Sequence, residues 1–269
     1  MNSKHDSHAQ RALDFELKSF VKACLVERKQ HNTLGDLIHA VQNKNALYVA
    51  EPWVTKDERS IAHEVLFRFR HKSNKILRYS HVARDLNSSD LAKGFDLVNF
   101  FNILSWLPSD EKAPPCSINM THDSLTTPEI CEKIIAANAH RKGPQIIIEI
   151  LEDERIFTGN ELQMLQQMKQ SGIIFALDDF RVSTDSDWQR LKGLESIVSY
   201  VKLDGKDSVR PFLDNDGAKI SALFNHISNI QNLVGADKKI IAEWVETPQE
   251  AHKLFAGGVH AVQGHKLVF

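Results

Sequence analysis

Residues 144–179 read PQIIIEILEDERIFTGNELQMLQQMKQSGIIFALDD, and the reading of this stretch decides the fold. Two near-continuous apolar runs, Ile146 to Leu151 and Ile173 to Leu177, enclose a helical stretch from Asn160 to Ser171. Runs this rich in Ile and Leu suit parallel strands covered on their outer face, which need no polar alternation. Acidic residues close both runs: Glu149 and Glu152 around the first, Asp178 and Asp179 after the second.

The same texture continues on either side. Further apolar runs lie at Ala46 to Val54, Ile61 to Phe69, Cys116 to Met120, Ile197 to Leu203, Ile240 to Val245 and Ala261 to Val262. Helical stretches fall near Leu91 to Leu107, Pro128 to His140, Asp216 to Leu233 and Pro248 to Phe255, with both prolines suited to a first helical turn. Eight strand candidates alternating with helices predict an α/β fold, a modified (β/α)8 TIM-like barrel; an open doubly wound sheet gives much the same pattern. No glycine-rich dinucleotide or P-loop motif is present. Before residue 45 the texture is helical, with Leu13, Leu17, Phe20, Val21 and Cys24 at helical spacing and a Thr33/Asp36 start signal. The expected organisation is a helical N-terminal extension over 1–44 and a barrel domain over 45–269.

Composition narrows the partners. Lys and Arg total 33 against 35 Asp and Glu, a formal charge of −2 with 42% apolar residues. A general binder of nucleic acid polymers needs an excess of basic residues that this chain lacks. The amino terminus has no apolar leader, and no stretch approaches the roughly 18 apolar residues of a membrane span. Three cysteines, widely spaced and without a CxxC pair, suggest reduced thiols. A cytoplasmic protein without membrane insertion is expected.

Strand side chains alternate between faces, so the polar residues can be sorted. Glu64, Leu66 and Arg68 share one face, while Val65, Phe67 and Phe69 share the other, the side suited to packing under helices. The same count pairs Asn119 with Ser117, Glu149 with Ile147, Asp178 with Ala176, Lys202 with Tyr200, and Glu243 with Ile241. Inward residues late in the strands of such a barrel converge on its carboxyl-end mouth. One acidic residue after a strand is more often a helix cap, and Lys202 or Arg68 alone suits a structural counter-ion. Several carboxylates on separate strands cannot all stay ionised in one pocket without a compensating charge, and hard oxygen donors favour Mg²⁺ or Mn²⁺ over Zn²⁺. Glu152 and Glu246 fall on the opposite face by alternation, where support of a loop or a ligand is as natural as direct ligation.

Taken in order, these residues resemble the EAL phosphodiesterase domain. The correspondence includes Glu64-Val65-Leu66 in HEVLFRF, Asn119 in SINMT, Glu149 and Glu152 in IEILE, and Asp178 and Asp179 in ALDDF. It continues through Lys202 in VKLD, Glu243 and Glu246 in IAEWVET, and Gln263 in VQG. The resemblance implies hydrolysis of cyclic di-GMP to linear pGpG at two divalent cations, Mg²⁺ or Mn²⁺. It also implies that Glu64, Asn119, Glu149 and Asp178 are ligands of one cation, and that Asp179 joins the second. Lys202 would position or polarise the attacking water, and Glu243 would act as a water-mediated ligand or proton acceptor. Leu66 and Arg68 would hold the substrate's sugar edge and phosphate, with Gln263 supporting the mouth. A homodimer is implied as well, although the family's loop coupling dimer contacts to metal binding is here the atypical Arg181 to Trp188. Glu51-Pro52 stands where the family has Gln-Pro, and no second signalling domain is legible. A non-catalytic receptor or interaction module is the rival reading, with Glu51 and the altered loop as its marks.

Overall fold

The computed structural model describes residues 6–27, 32–42, 45–71, 73–88, 91–139, 141–153, 155–213, 217–235 and 237–265. The elements begin with α1 (Asp6–Glu27), α2 (Asn32–Gln42), β1 (Ala46–Val54), β2 (Ser60–Arg70), β3 (Ile76–Arg78), α3 (Ser80–Ser88) and α4 (Ala92–Trp106). There follow β4 (Cys116–Met120), α5 (His122–Leu125), α6 (Pro128–Ala139), β5 (Ile146–Ile150), α7 (Gly159–Gln170), β6 (Ile174–Phe180) and α8 (Asp185–Gly193). The chain ends with β7 (Tyr200–Leu203), α9 (Arg210–Leu213), α10 (Gly217–Val234), β8 (Lys239–Ala242), α11 (Pro248–Ala256) and β9 (Ala261–Val262), with a π-helical turn at Gly205–Val209 between β7 and α9.

These elements form two compact units. One comprises Met1–Ala50, Val65–Ala113 and Asp123–Pro144; the other comprises Glu51–Glu64, Pro114–His122 and Gln145–Phe269. In the first, α1 meets α4 through Phe20 and Phe95, whose ring centroids are 6.1 Å apart, and Gly94 leaves the room that Phe20 occupies. Phe67 stacks edge-on against Phe95 at 5.1 Å, the helix-facing role its place on the strand predicts. Thr33 gives its hydroxyl to Asp85 Oδ2 at 2.5 Å, while Asp36 pairs with His71 and His81. The two residues read as a helix start therefore tie α2 to its neighbours.

The second unit carries the sheet. Its order is β1-β9-β8-β7-β6-β5-β4-β2, and the pairing of β1 with β2 closes it into an eight-stranded barrel, which excludes the open-sheet alternative. From β2 through β9 the barrel strands are parallel. β1 departs from the expected repeat: it pairs antiparallel with β9 and joins β2 by a short turn instead of a helix. A turn from Thr55 to Arg59 is too short for a crossover, so it permits only an antiparallel partner.

Inside the barrel, Trp53, Ala62, Ile147, Ala176, Tyr200, Ile241 and Ala261 form one packed apolar cluster. Trp53 meets Tyr200 edge-on at 5.2 Å. Two residues further along each parallel strand, on the same face, stand Glu64, Glu149, Asp178, Lys202, Glu243 and Gln263. Because β1 runs the other way, its count goes backward from Trp53 to Glu51. An apolar floor thus lies directly beneath a polar layer, and it keeps water away from one side of every charge above it.

Candidate active site

Lys202 is the centre of that layer. Its side chain is fully buried, and Nζ stands 2.6 Å from Glu149 Oε2, 2.7 Å from Asp178 Oδ1, 2.8 Å from Glu243 Oε1 and 3.2 Å from Glu64 Oε2. An ammonium has three protons, so four carboxylates cannot each receive a linear bond. Glu149 and Glu64 receive aligned hydrogen bonds, while Asp178 and Glu243 are held by charge without that alignment. Below, the Trp53 ring lies with its centroid 5.8 Å from Nζ, within cation–π range.

Glu64 is further anchored by two amides. Asn119 Nδ2 donates to Oε1 at 2.7 Å, and Gln263 Nε2 donates to Oε2 at 2.6 Å. Burial opposes its charge, but Lys202 and the two amides outweigh that cost and hold its carboxyl below the usual range. Glu149 goes the other way: burial and the charge of Glu64 push it well above, and Lys202 offsets only part. Glu243 is likewise raised, by burial first and then by Asp178 and Asp179 against the pull of Lys202. The ammonium is itself penalised by burial, yet the four carboxylates hold it firmly protonated.

Asp179 reaches the site through a local distortion. The register between β6 and β7 shifts between Leu177 and Phe180, and Asp179 has φ +47°, in the left-handed region. A bulge of this kind re-aims a side chain that strict alternation would send outward. As a result one carboxylate oxygen each from Asp178, Asp179 and Glu243 lie within 4.8 Å of one another. Burial and the charges of Asp178 and Glu152 push Asp179 up to about 7.

Five carboxylates therefore surround one ammonium, and three of them retain protons more strongly than carboxylates usually do. Asn119 Oδ1 and Glu149 Oε1 are also buried acceptors without a hydrogen-bond partner. Hard oxygen donors, excess negative charge and unsatisfied acceptors fit a Mg²⁺-like or Mn²⁺-like cation. The cation-compatible trio includes Glu243, which the motif reading placed at one remove from the ions.

Leu66 and Arg68 are half-buried on β2, two and four residues beyond Glu64 on its face, in the other compact unit. Glu152 is exposed in the loop after β5, where it still feels the charge of Asp178. Glu246 is exposed, 3.7 Å from Arg210, and its backbone N–H donates to Glu250, whose carboxylate helps cap α11.

The loop from Arg181 to Trp188 is tightly held. Asp187, fully buried, accepts from Arg181 N and Nε at 2.9 Å and pairs with Arg190 at 3.4 Å. Arg190 in turn donates to Leu151 O, and Ser208 Oγ bridges Val182 N and Phe180 O. Trp53, which underlies Lys202, escaped the sequence reading. Glu51, singled out there as an extra carboxylate, proves to join the layer, with Oε2 3.4 Å from Gln263 Nε2 and Oε1 2.7 Å from His265 Nδ1. The six-residue gap between the first two apolar runs was the available signal for Glu51, since it already implied a reversed strand.

Comparison with known proteins bears on the fold and the family. The chain is 28% identical over 246 residues to a probable cyclic di-GMP phosphodiesterase, PdeA, of Escherichia coli, a match covering 88% of this chain and 32% of that protein. It is 27% identical over 212 residues to the cyclic di-GMP phosphodiesterase PdeB of Shewanella oneidensis, covering 76% of this chain and 24% of the relative. The chain thus spans a third or less of the curated relatives it matches. Among solved structures, the FimX EAL domain of Pseudomonas aeruginosa bound to c-di-GMP superposes with a TM-score of 0.70 at 19% identity, over 88% of this chain and 95% of that one. Residues 35–267 match the model of the EAL domain, and the chain belongs to that family.

Proposed function

We propose that this chain is a metal-dependent phosphodiesterase that opens cyclic di-GMP to linear pGpG. The observation that carries the reading is the polar layer itself: Glu64, Asn119, Glu149, Asp178, Asp179 and Glu243 gathered around Lys202. The curated relatives, named for the same activity, support it.

Glu64, Asn119, Glu149, Asp178 and Asp179 would hold two divalent cations, with Glu243 within reach of the second. Such cations supply charge shielding for the diester and Lewis acidity toward the attacking water. Lys202 contributes a fixed positive charge in a water-excluded setting, where charge developing on the phosphoryl oxygens is stabilised most. Glu243, with its raised proton affinity, is suited to accept a proton from the nucleophile and hold it. Gln263 and Asn119 fix the orientation of Glu64, so its carboxylate does not have to reorganise during the reaction. Leu66 and Arg68 extend the same strand face toward the substrate's sugar and phosphate. Glu152 and Glu246 steady the loops that follow β5 and β8.

The test is incubation of the purified chain with cyclic di-GMP and either Mg²⁺ or Mn²⁺, followed by chromatography. Appearance of pGpG, abolished in Glu64→Ala, is expected. Intact dinucleotide after long incubation with both metals, together with measurable binding, would instead favour the receptor reading, to which the extra carboxylate of Glu51 lends weight.

A further inference from the structure

We propose that the indole of Trp244 is a stacking platform for one purine base of the cyclic dinucleotide, a substrate-binding role that rests on the phosphodiesterase reading above. Trp244 follows Glu243 at the carboxyl end of β8, and 57% of its surface is exposed. Its φ is +56°, a left-handed conformation that is a genuine outlier for a bulky side chain and that glycine would adopt without strain. Strain of this sort persists where the side chain does something that a relaxed residue would not.

The ring is also held in place. Gly205 begins the π-helical turn just beyond β7, and a side-chain carbon there would collide with Cβ and Cγ of Trp244, so the indole is seated on bare backbone. π-Helical turns of this kind collect at functional sites. Arg210 Nη2 donates to the Trp244 carbonyl at 2.5 Å while its Nη1 binds Glu250 at 2.6 Å, which pins the loop. β7 and β8 are parallel neighbours, and their carboxyl ends carry Lys202 and Glu243. The indole therefore lies at the carboxyl ends of β7 and β8, one residue beyond Glu243 of the polar layer. A purine offers such a face whatever its edge pattern, and one base on one aromatic ring is worth roughly ten-fold in affinity.

The experiment compares the wild type with Trp244→Gly and Trp244→Phe. For Trp244→Gly, KM for cyclic di-GMP should rise about ten-fold with kcat within two-fold of the wild type, the pattern of lost uniform binding. Its thermal midpoint should be no lower than that of the wild type, because glycine relieves the left-handed strain. Trp244→Phe should keep most of the affinity. Titration with cyclic di-GMP should quench indole emission in the wild type, and this quench should be absent in Trp244→Phe. Unchanged KM in Trp244→Gly, with no quench in an active wild type, would overturn the platform and leave the phosphodiesterase reading intact. Loss of self-association in Trp244→Gly at unchanged KM would place the indole in a protein contact and overturn it equally. A wild type that neither binds nor hydrolyses the dinucleotide would bring down both readings.

Discussion

Lys202 Nζ lies 2.6 Å from Glu149 Oε2, and neither side chain exposes more than 1% of its surface. A pair this deep is costly to assemble and more costly to break, because the partner left behind is a buried charge. Lys202→Met should destabilise the cation-free protein by about 3–5 kcal/mol. Denaturant titration in the presence of a chelator measures the loss. Part of it should be recovered at acid pH, where Glu149 and Glu243 take up protons in place of the lost ammonium. A variant as stable as the wild type at neutral pH would mean that the four carboxylates do not depend on Lys202.

The pH dependence of stability follows from the same cluster. Asp179 titrates near 7 in the fold, against an ordinary value of 3.8, so the folded chain holds a proton that the unfolded chain releases. The stabilisation is complete below about pH 4 and is lost as the pH rises toward 7. Glu149 and Glu243 are shifted in the same direction, and Glu64 in the opposite one. In chelator, the thermal midpoint should therefore fall between pH 5 and pH 8. Saturating Mg²⁺ should flatten or reverse that fall, since a cation that binds carboxylates displaces their protons and binds more weakly in acid. Superimposable pH profiles with and without Mg²⁺ would show that the cluster holds no ion.

Asp187 governs the loop that follows the two aspartates. It neutralises Arg190, itself 4% exposed, and receives the backbone and side chain of Arg181. Asp187→Asn leaves the Arg190 guanidinium uncompensated and should cost about 3 kcal/mol or more. Because Arg181 starts one residue after β6, the same change should loosen Asp178 and Asp179 and weaken Mn²⁺ affinity. Calorimetric titration with Mn²⁺ should show the weaker binding in protein that remains folded by circular dichroism.

What was legible in the sequence was the set of inward positions, because parallel strands buried on both faces keep period-two register even where hydrophobicity does not alternate. Counting from Ile147 to Glu149, or from Tyr200 to Lys202, sufficed to place those residues on one face. That Lys202 touches four carboxylates was not legible, since contacts across strands depend on stagger, and Lys202 pairs in register with Ile241, not with Glu243. Asp179 was expected in the site from its resemblance to the family, while the means, a shifted register and a left-handed backbone, leaves no mark in composition. Trp244 was hidden for a related reason: an exposed indole in a left-handed conformation contradicts local propensity, and a reading based on propensity passes over it.

Glu51 allows a sharper test of function. It belongs to the polar layer only because β1 is reversed, and it adds a carboxylate to a place already crowded with them. Its partner is His265, whose side chain is 58% exposed, and so exposed a pair contributes little. An anionic diester approaching this rim meets that extra charge at partly screened distance, an opposition on the order of 1 kcal/mol. Glu51→Gln preserves the side chain's length and its approach to Gln263 while removing the charge. KM for cyclic di-GMP should then fall about five-fold at low ionic strength, and the difference should shrink as salt is added. A rise in KM would show instead that the carboxylate itself grips the substrate. If the wild type binds the dinucleotide without opening it and Glu51→Gln turns it over, the difference between receptor and enzyme in this chain lies in that one charge.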